Sequence, residues 1–231
     1  MKHRIDLPDW AVARGKALNL FDKIDPCRTA LVVIDMQRVF ISPEEVFGNP
    51  YALGIIPQVN RLAAAMQGAG GLVIWTRQTV SAVRPRAMPP WQYDMSDPRV
   101  ARAVKAMAPG SHAHELHPGM AVGPDDIVID KYRYSAFLCP DGALEQTLRA
   151  HDIEMLLIAG TLTNVCCEST ARDGNMIGHK VMLIADATAA VSDAEHNAAL
   201  LNLRLTFADV RSTDEVCAML GAGEGFASAD Q

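Results

Sequence analysis

Residues 29–35 read TALVVID, and the run up to Ile34 is almost wholly apolar on both faces of an extended segment. A strand with no polar face belongs inside a sheet covered by helices on both sides, the usual setting of parallel strands. The run stops at Asp35, followed by Met36, Gln37, Arg38, Val39 and Phe40. An acid at the C-terminal edge of a central strand stands where ligands bind in open α/β sheets. As a lone residue it serves equally well as a turn cap.

The same pattern recurs along the chain. Leu72–Thr76, Asp126–Asp130, Ile153–Ile158 and Lys180–Ala185 read as further strands, and a last short edge strand starts at Val210. Helical spacing appears between them: over Pro57–Gln67 through Val59, Leu62, Ala63 and Met66, and over Asp141–Ala150 through Leu144 and Leu148. Arg99–Met107 and Asn164 to about Gly174 are further helix candidates. Ser192 with Glu195, and Ser212 with Glu215, have the spacing of capping boxes that open two more helices. This alternation predicts an α/β fold, a three-layer αβα sandwich around a Rossmann-like, mostly parallel, six-stranded sheet. Neither GxGxxG nor GxxxxGK[ST] follows the first strand, which excludes nicotinamide-cofactor and P-loop readings. Residues 79–98 contain Pro85, Pro89, Pro90 and Pro98 and are expected to form an irregular lid or interface.

The chain has 231 residues, 49% of them hydrophobic, enough for one substantial core. We expect an N-terminal arm over 1–27, one domain over 28–222 and a Gly/Ala/Ser-rich tail over 223–231. Trp10, Leu18, Leu20 and Phe21 would pack the arm on the body or on a partner subunit. A net charge of −6 gives no support for nucleic-acid binding. No apolar run reaches membrane-spanning length, and MKHRIDLPDW lacks the apolar segment of a signal peptide. The five cysteines are odd in number and form no CxxC pair, which fits reduced thiols in the cytoplasm. His112, His114 and His117 cluster near Glu115, but their offsets do not match HExxH, and a polar loop is the simpler reading.

Ile158–Gly174, IAGTLTNVCCESTARDG, carries a reactive residue type at a strand-to-helix corner. A cysteine there would meet the positive end of a helix, which favours a thiolate. Asp35, Lys131 and Cys166 follow the expected first, third and fourth strands. If those strands are neighbours in a parallel sheet, the three side chains meet at one edge. Lys131 would then supply positive charge and Asp35 would accept the thiol proton. Backbone N–H groups at the turn would hold a developing oxyanion. The residues alone leave another reading open: a core thiol, a capping aspartate and a surface lysine.

Three ordered segments, ALVVIDMQRVF (30–40), VIDKYRYSAF (128–137) and IAGTLTNVCCESTARDG (158–174), resemble the isochorismatase-like cysteine hydrolases. The likeness runs from about Thr29 to Leu220. The resemblance implies Asp35 as general base, Lys131 as orienting and stabilising cation, and Cys166, rather than Cys167, as nucleophile. It also implies a cis peptide between Thr161 and Leu162 that aims the amides of Val165 and Cys166 at the oxyanion. Isochorismatase proper has no thiol at the cysteine position. Nicotinamidases carry metal-binding histidines after the second strand, whereas residues 77–98 here contain none. The metal-free ureide- and amide-cleaving branch is therefore expected, which includes enzymes for N-carbamoylsarcosine, ureidoacrylate and biuret, with neither cofactor nor metal. A nicotinamidase-like amidase and a non-catalytic protein retaining the fold are the alternatives. The implied partners are a small-molecule substrate and further copies of the chain in a homodimer or homotetramer. For substrate contacts we expect Arg84 or Arg86 on a carboxylate, Gln37, Phe40, Trp91 and Tyr134 as pocket walls, and Thr163 and Asn164 in the nucleophile turn. Tyr93 and Tyr132 are further wall candidates.

Overall fold

The computed structural model describes residues 1–221; the tail expected over 223–231 lies outside them. Six strands form one sheet: β1 (Thr29–Ile34), β2 (Leu72–Gln78), β3 (Ile127–Lys131), β4 (Met155–Thr161), β5 (Lys180–Ala189) and β6 (Asp209–Arg211). Their spatial order is β3-β2-β1-β4-β5-β6, and every pairing is parallel. The sheet is thus wholly parallel, as its two-faced apolar strands require.

The helices are α1 (Asp9–Asn19), the short α2 (Arg38–Ile41) and α3 (Pro50–Gly54), α4 (Ile56–Gly68), α5 (Pro98–Ala106), α6 (Ala143–Ala150), α7 (Glu168–Met176), α8 (Asp193–Asn202) and α9 (Thr213–Gly221). Leu31 and Val33 of β1 point into one core with Val59, Leu62, Ala63 and Met66 of α4 and Val216 and Leu220 of α9. Ala30, Val32 and Ile34 point to the other face, onto Leu144 and Leu148 of α6, Ala171 of α7 and Leu200 of α8. The period-2 alternation of a strand feeds both layers at once. Both serines cap their helices: the Ser192 hydroxyl accepts the Glu195 amide at 3.2 Å, and that of Ser212 accepts the Glu215 amide at 3.3 Å, where Glu215 also accepts the Ser212 amide at 2.8 Å and completes the box.

The arm contributes α1, whose Gly15 lies against the backbone and side chain of Arg204, where a β-carbon would not fit. Trp10 and Leu18 remain exposed on it. Ahead of the helix, His3 is sandwiched between Tyr51 at 4.0 Å and His196 of α8 at 4.1 Å.

Several expected boundaries move. β2 runs on through Arg77 and Gln78, β3 through Lys131, β4 starts at Met155 and runs on through Thr161, and β5 runs on through Ala189. Polar residues at strand ends break an apolar pattern without breaking the ladder. One expectation about neighbours is also corrected. β1 and β4 are adjacent, but β3 is the outer strand, with β2 between it and β1. Chain order reverses between β1 and β4, and in open α/β sheets such a switch point opens a crevice at the strand C-termini.

Candidate active site

That crevice brings Asp35, Lys131 and Cys166 together. Asp35 leaves β1 in a left-handed conformation, φ 50°. Few non-glycine residues adopt it, and such strain clusters at functional sites. Thr76 of β2 fixes its carboxylate: the threonine hydroxyl accepts the Asp35 amide at 3.2 Å and donates to Oδ1 at 2.8 Å. Oδ2 faces Lys131 Nζ at 2.7 Å. Lys131, the last residue of β3, is fully buried. Its ammonium also donates to Gln78 Oε1 at 2.6 Å and to the Arg133 carbonyl at 3.0 Å, and stands 3.5 Å from Cys166 Sγ. A buried cation without such partners would cost several kcal/mol, on the order of its lost solvation. Burial opposes the charge on Lys131, but Asp35 and its neighbours outweigh burial and hold its pKa above the ordinary lysine value.

After β4 the chain passes a cis peptide between Thr161 and Leu162. It then makes a π-type turn, Thr163–Cys167, and enters α7. Gly160, with φ +112°, lies so close to Ile34 of β1 that any β-carbon would overlap the Ile34 backbone. The Val165 amide donates to the Leu162 carbonyl at 3.2 Å, as does that of Cys167 at 3.1 Å. Val165 N–H is thus already committed and is not the free oxyanion donor that the resemblance implied. The two cysteines part company at this turn. Cys166 faces the crevice, whereas Cys167 is wholly buried with its sulfur toward the Ala159 carbonyl. Burial pushes the Cys166 thiol up to about 12, and Lys131, which acts in the opposite direction, does not overcome it. Lys131 thus acts on the thiol in the direction expected of a cation beside sulfur, against burial.

Above the triad lies a cleft of about 350 Å³. Asp35, Gln78, Thr161, Leu162, Val165 and Cys166 form its floor. Phe40, Tyr93 and Tyr134 line it, together with Val46, Phe47, Gly48 and Val191, which the sequence did not single out. Phe40, Phe47 and Tyr93 run on from one another, with ring centroids 6.3 Å and 6.2 Å apart.

Several expected contacts lie elsewhere. Gln37 is buried outside the cleft, where it accepts the Gln78 amide at 2.7 Å and donates to the Gln78 carbonyl at 3.2 Å and the His114 carbonyl at 2.8 Å. It holds Gln78 in place for Lys131 rather than touching a ligand. Arg84 and Arg86 are exposed; Arg86 pairs with Asp141 at 3.3 Å and stacks 5.0 Å above Tyr132. Trp91 is 83% exposed. Thr163 is buried with its hydroxyl 2.9 Å from His196 Nδ1, and Asn164 does not line the cleft. His114 is buried against Thr79 at 2.7 Å, a structural tie between loops. Among the described residues no three His, Cys, Asp or Glu side chains converge in a metal-binding group, and no helix is long and apolar enough to cross a membrane.

A model of the isochorismatase domain matches residues 29–215. The chain belongs to the isochorismatase family. Within this family it is 31% identical to the ureidoacrylate amidohydrolase RutB of Pseudomonas syringae pv. syringae, over 92% of each chain. A solved cysteine hydrolase from Pseudomonas syringae pv. phaseolicola superposes with a TM-score of 0.78 at 29% identity, covering 89% of this chain and 97% of that one. An N-carbamoylsarcosine amidase from Thermoplasma acidophilum, at 21% identity, shares the fold with a TM-score of 0.66, covering 81% and 97%. By its family and these relatives the chain is a hydrolase.

Proposed function

We propose that this isochorismatase-family chain hydrolyses the carbon–nitrogen bond of a small linear amide or ureide, with Cys166 as nucleophile. One observation carries the reading: Cys166 Sγ and Asp35 Oδ2 lie 3.5 Å and 2.7 Å from the same buried ammonium, on the floor of a cleft. The amidohydrolase name of the relative that aligns over 92% of the chain supports the bond class.

The chemistry starts from the sulfur. Burial favours the thiol form of Cys166, and a base takes its proton as sulfur attacks. Asp35 is that base, since Thr76 occupies Oδ1 and leaves Oδ2 toward the centre. Lys131 fixes Asp35 and lowers the cost of negative charge on sulfur. Sγ bonds to the carbonyl carbon, and the Cys166 amide is the donor we assign to the oxygen. The proton held by Asp35 passes to the departing nitrogen as the C–N bond breaks, leaving a thioester. Water then attacks the thioester, giving its proton to Asp35. The acid or carbamic acid departs, and sulfur takes the proton back.

Ammonia release from amides and ureides, measured for wild type and Cys166→Ala, tests the reading. We expect turnover that the substitution removes, together with an acyl adduct on Cys166 in intact-mass spectra of quenched reactions. Turnover that survives Cys166→Ala would rule the mechanism out.

A further inference from the structure

The cleft over Cys166 carries a second message, about what the rest of the substrate must be. None of its lining residues is Lys, Arg or His, and Asp35 is its one charged member. Residues 222–231 read AGEGFASADQ, so every lysine and arginine of the chain lies among the described residues. Lys131 is the cation beneath the floor, and its ammonium is already held by Asp35, Gln78 and the Arg133 carbonyl. Of the arginines that follow the same strand ends, Arg84 is exposed and does not line the cleft, and the others are engaged elsewhere. Arg38 faces Glu115 at 3.6 Å. Arg86 pairs with Asp141. Arg133 donates to the carbonyls of Pro85, Arg86 and Tyr132.

The walls are aromatic and are held from behind. Phe40, Phe47 and Tyr93 pack against a small core of Val39, Val104, Met107 and Ala113, which backs the surface that they present. Tyr134 packs against the opposite core layer. Apolar walls gain from covering an apolar group, and aromatic faces gain more from a flat one. A carboxylate placed among them would lose hydration, meet no cation among the residues that line the cleft and lie near Asp35.

We propose that the substrate is an uncharged amide or ureide bearing an apolar, flat or extended substituent, which Phe40, Phe47, Tyr93 and Tyr134 select over its carboxylate-bearing analogue. The proposal rests on the reading of Cys166 as the nucleophile of an amide or ureide hydrolase. It sets this site apart from one built for a ureido acid.

The test uses isosteric sets. Hexanamide, 5-carbamoylpentanoate and 6-aminohexanamide differ in one terminal group, as do propylurea and 3-ureidopropanoate; 3-phenylpropanamide adds the flat substituent. Ammonia release gives kcat/KM, and protection of Cys166 from iodoacetamide, followed by peptide mass, reads occupancy without turnover. We expect each neutral member to exceed its charged partner by about 200-fold or more, the upper end of what one methylene is worth in an apolar pocket. We also expect 3-phenylpropanamide to be preferred over hexanamide. Val191→Arg, at an exposed position on the rim, should raise the carboxylate's relative kcat/KM about tenfold, as a new counter-ion would. Charged members within tenfold of the neutral ones, by turnover or by protection, would overturn the proposal, as would absence of protection by every neutral member. Turnover persisting in Cys166→Ala would instead remove the nucleophile reading, whatever the charge preference.

Discussion

Lys131 Nζ stands 2.7 Å from Asp35 Oδ2, although the strands that deliver the two residues are not neighbours. The lysine side chain spans the width of β2, and Gln78, the last residue of β2, accepts from it on the way. An isolated ammonium or carboxylate at this depth would be unsolvated, so each group is tolerated because of the other. Asp35→Asn and Lys131→Met should each cost about 3–5 kcal/mol of unfolding free energy, and the double variant clearly less than their sum. Urea denaturation of the four proteins gives the coupling directly.

His196 predicts a particular acid sensitivity. Burial first, and then His3 beside it, lower its pKa to about 4, with Asp193 opposing. The unfolded chain protonates this imidazole from about pH 6.5. Between those values the unfolded state binds the additional proton, so the contribution of His196 is complete above the window and is lost as pH falls through it. The loss is roughly 3 kcal/mol by pH 4. Urea midpoints followed from pH 7 to pH 4 should fall more steeply for wild type than for His196→Asn.

Gly160 has no room for a side chain. Its positive φ and its contact with Ile34 set how closely β4 approaches β1 just ahead of the nucleophile turn. Gly160→Ala should lose about 3 kcal/mol or more, read as a drop in thermal midpoint, whereas Gly68→Ala on α4, where a β-carbon meets open space, should leave the midpoint unchanged or raise it.

The loop arginines should matter little to turnover. Arg84 and Arg86 are exposed and do not line the cleft. Arg84→Ala and Arg86→Ala are each expected to change kcat/KM less than about threefold, the scale of an exposed ion pair. A hundredfold loss would return them to the substrate.

The contrast between Lys131 and Gln37 shows how far the sequence is legible. Apolar runs mark the strands because a two-sided core leaves no polar face, and the residue at which each run stops marks the sheet edge where the candidate site lies. Asp35 and Cys166 are visible in this way, and Lys131 with them. The order of strands is not, because connections of similar length reach either neighbour. Gln37 looks like a cleft residue because it adjoins Asp35 in sequence, yet a tight turn sends it beneath the site to hold Gln78. Gln78 and Thr76 support the lysine and the aspartate, but polar residues near a strand end read as surface. Phe47 and Val191 come from connecting segments without periodicity, so only the folded chain shows that they face Cys166.

The outer position of β3 has a consequence for how this protein would fail. Among the described residues β3 pairs with β2 alone, and Lys131 is its last residue. Strands at a sheet margin open at lower cost than central ones. Fraying there withdraws the ammonium from Asp35 and Cys166 while β1, β4 and their helices stay folded. Heat should therefore silence the protein some degrees before it melts, and that inactivation should reverse on cooling for as long as the central strands hold.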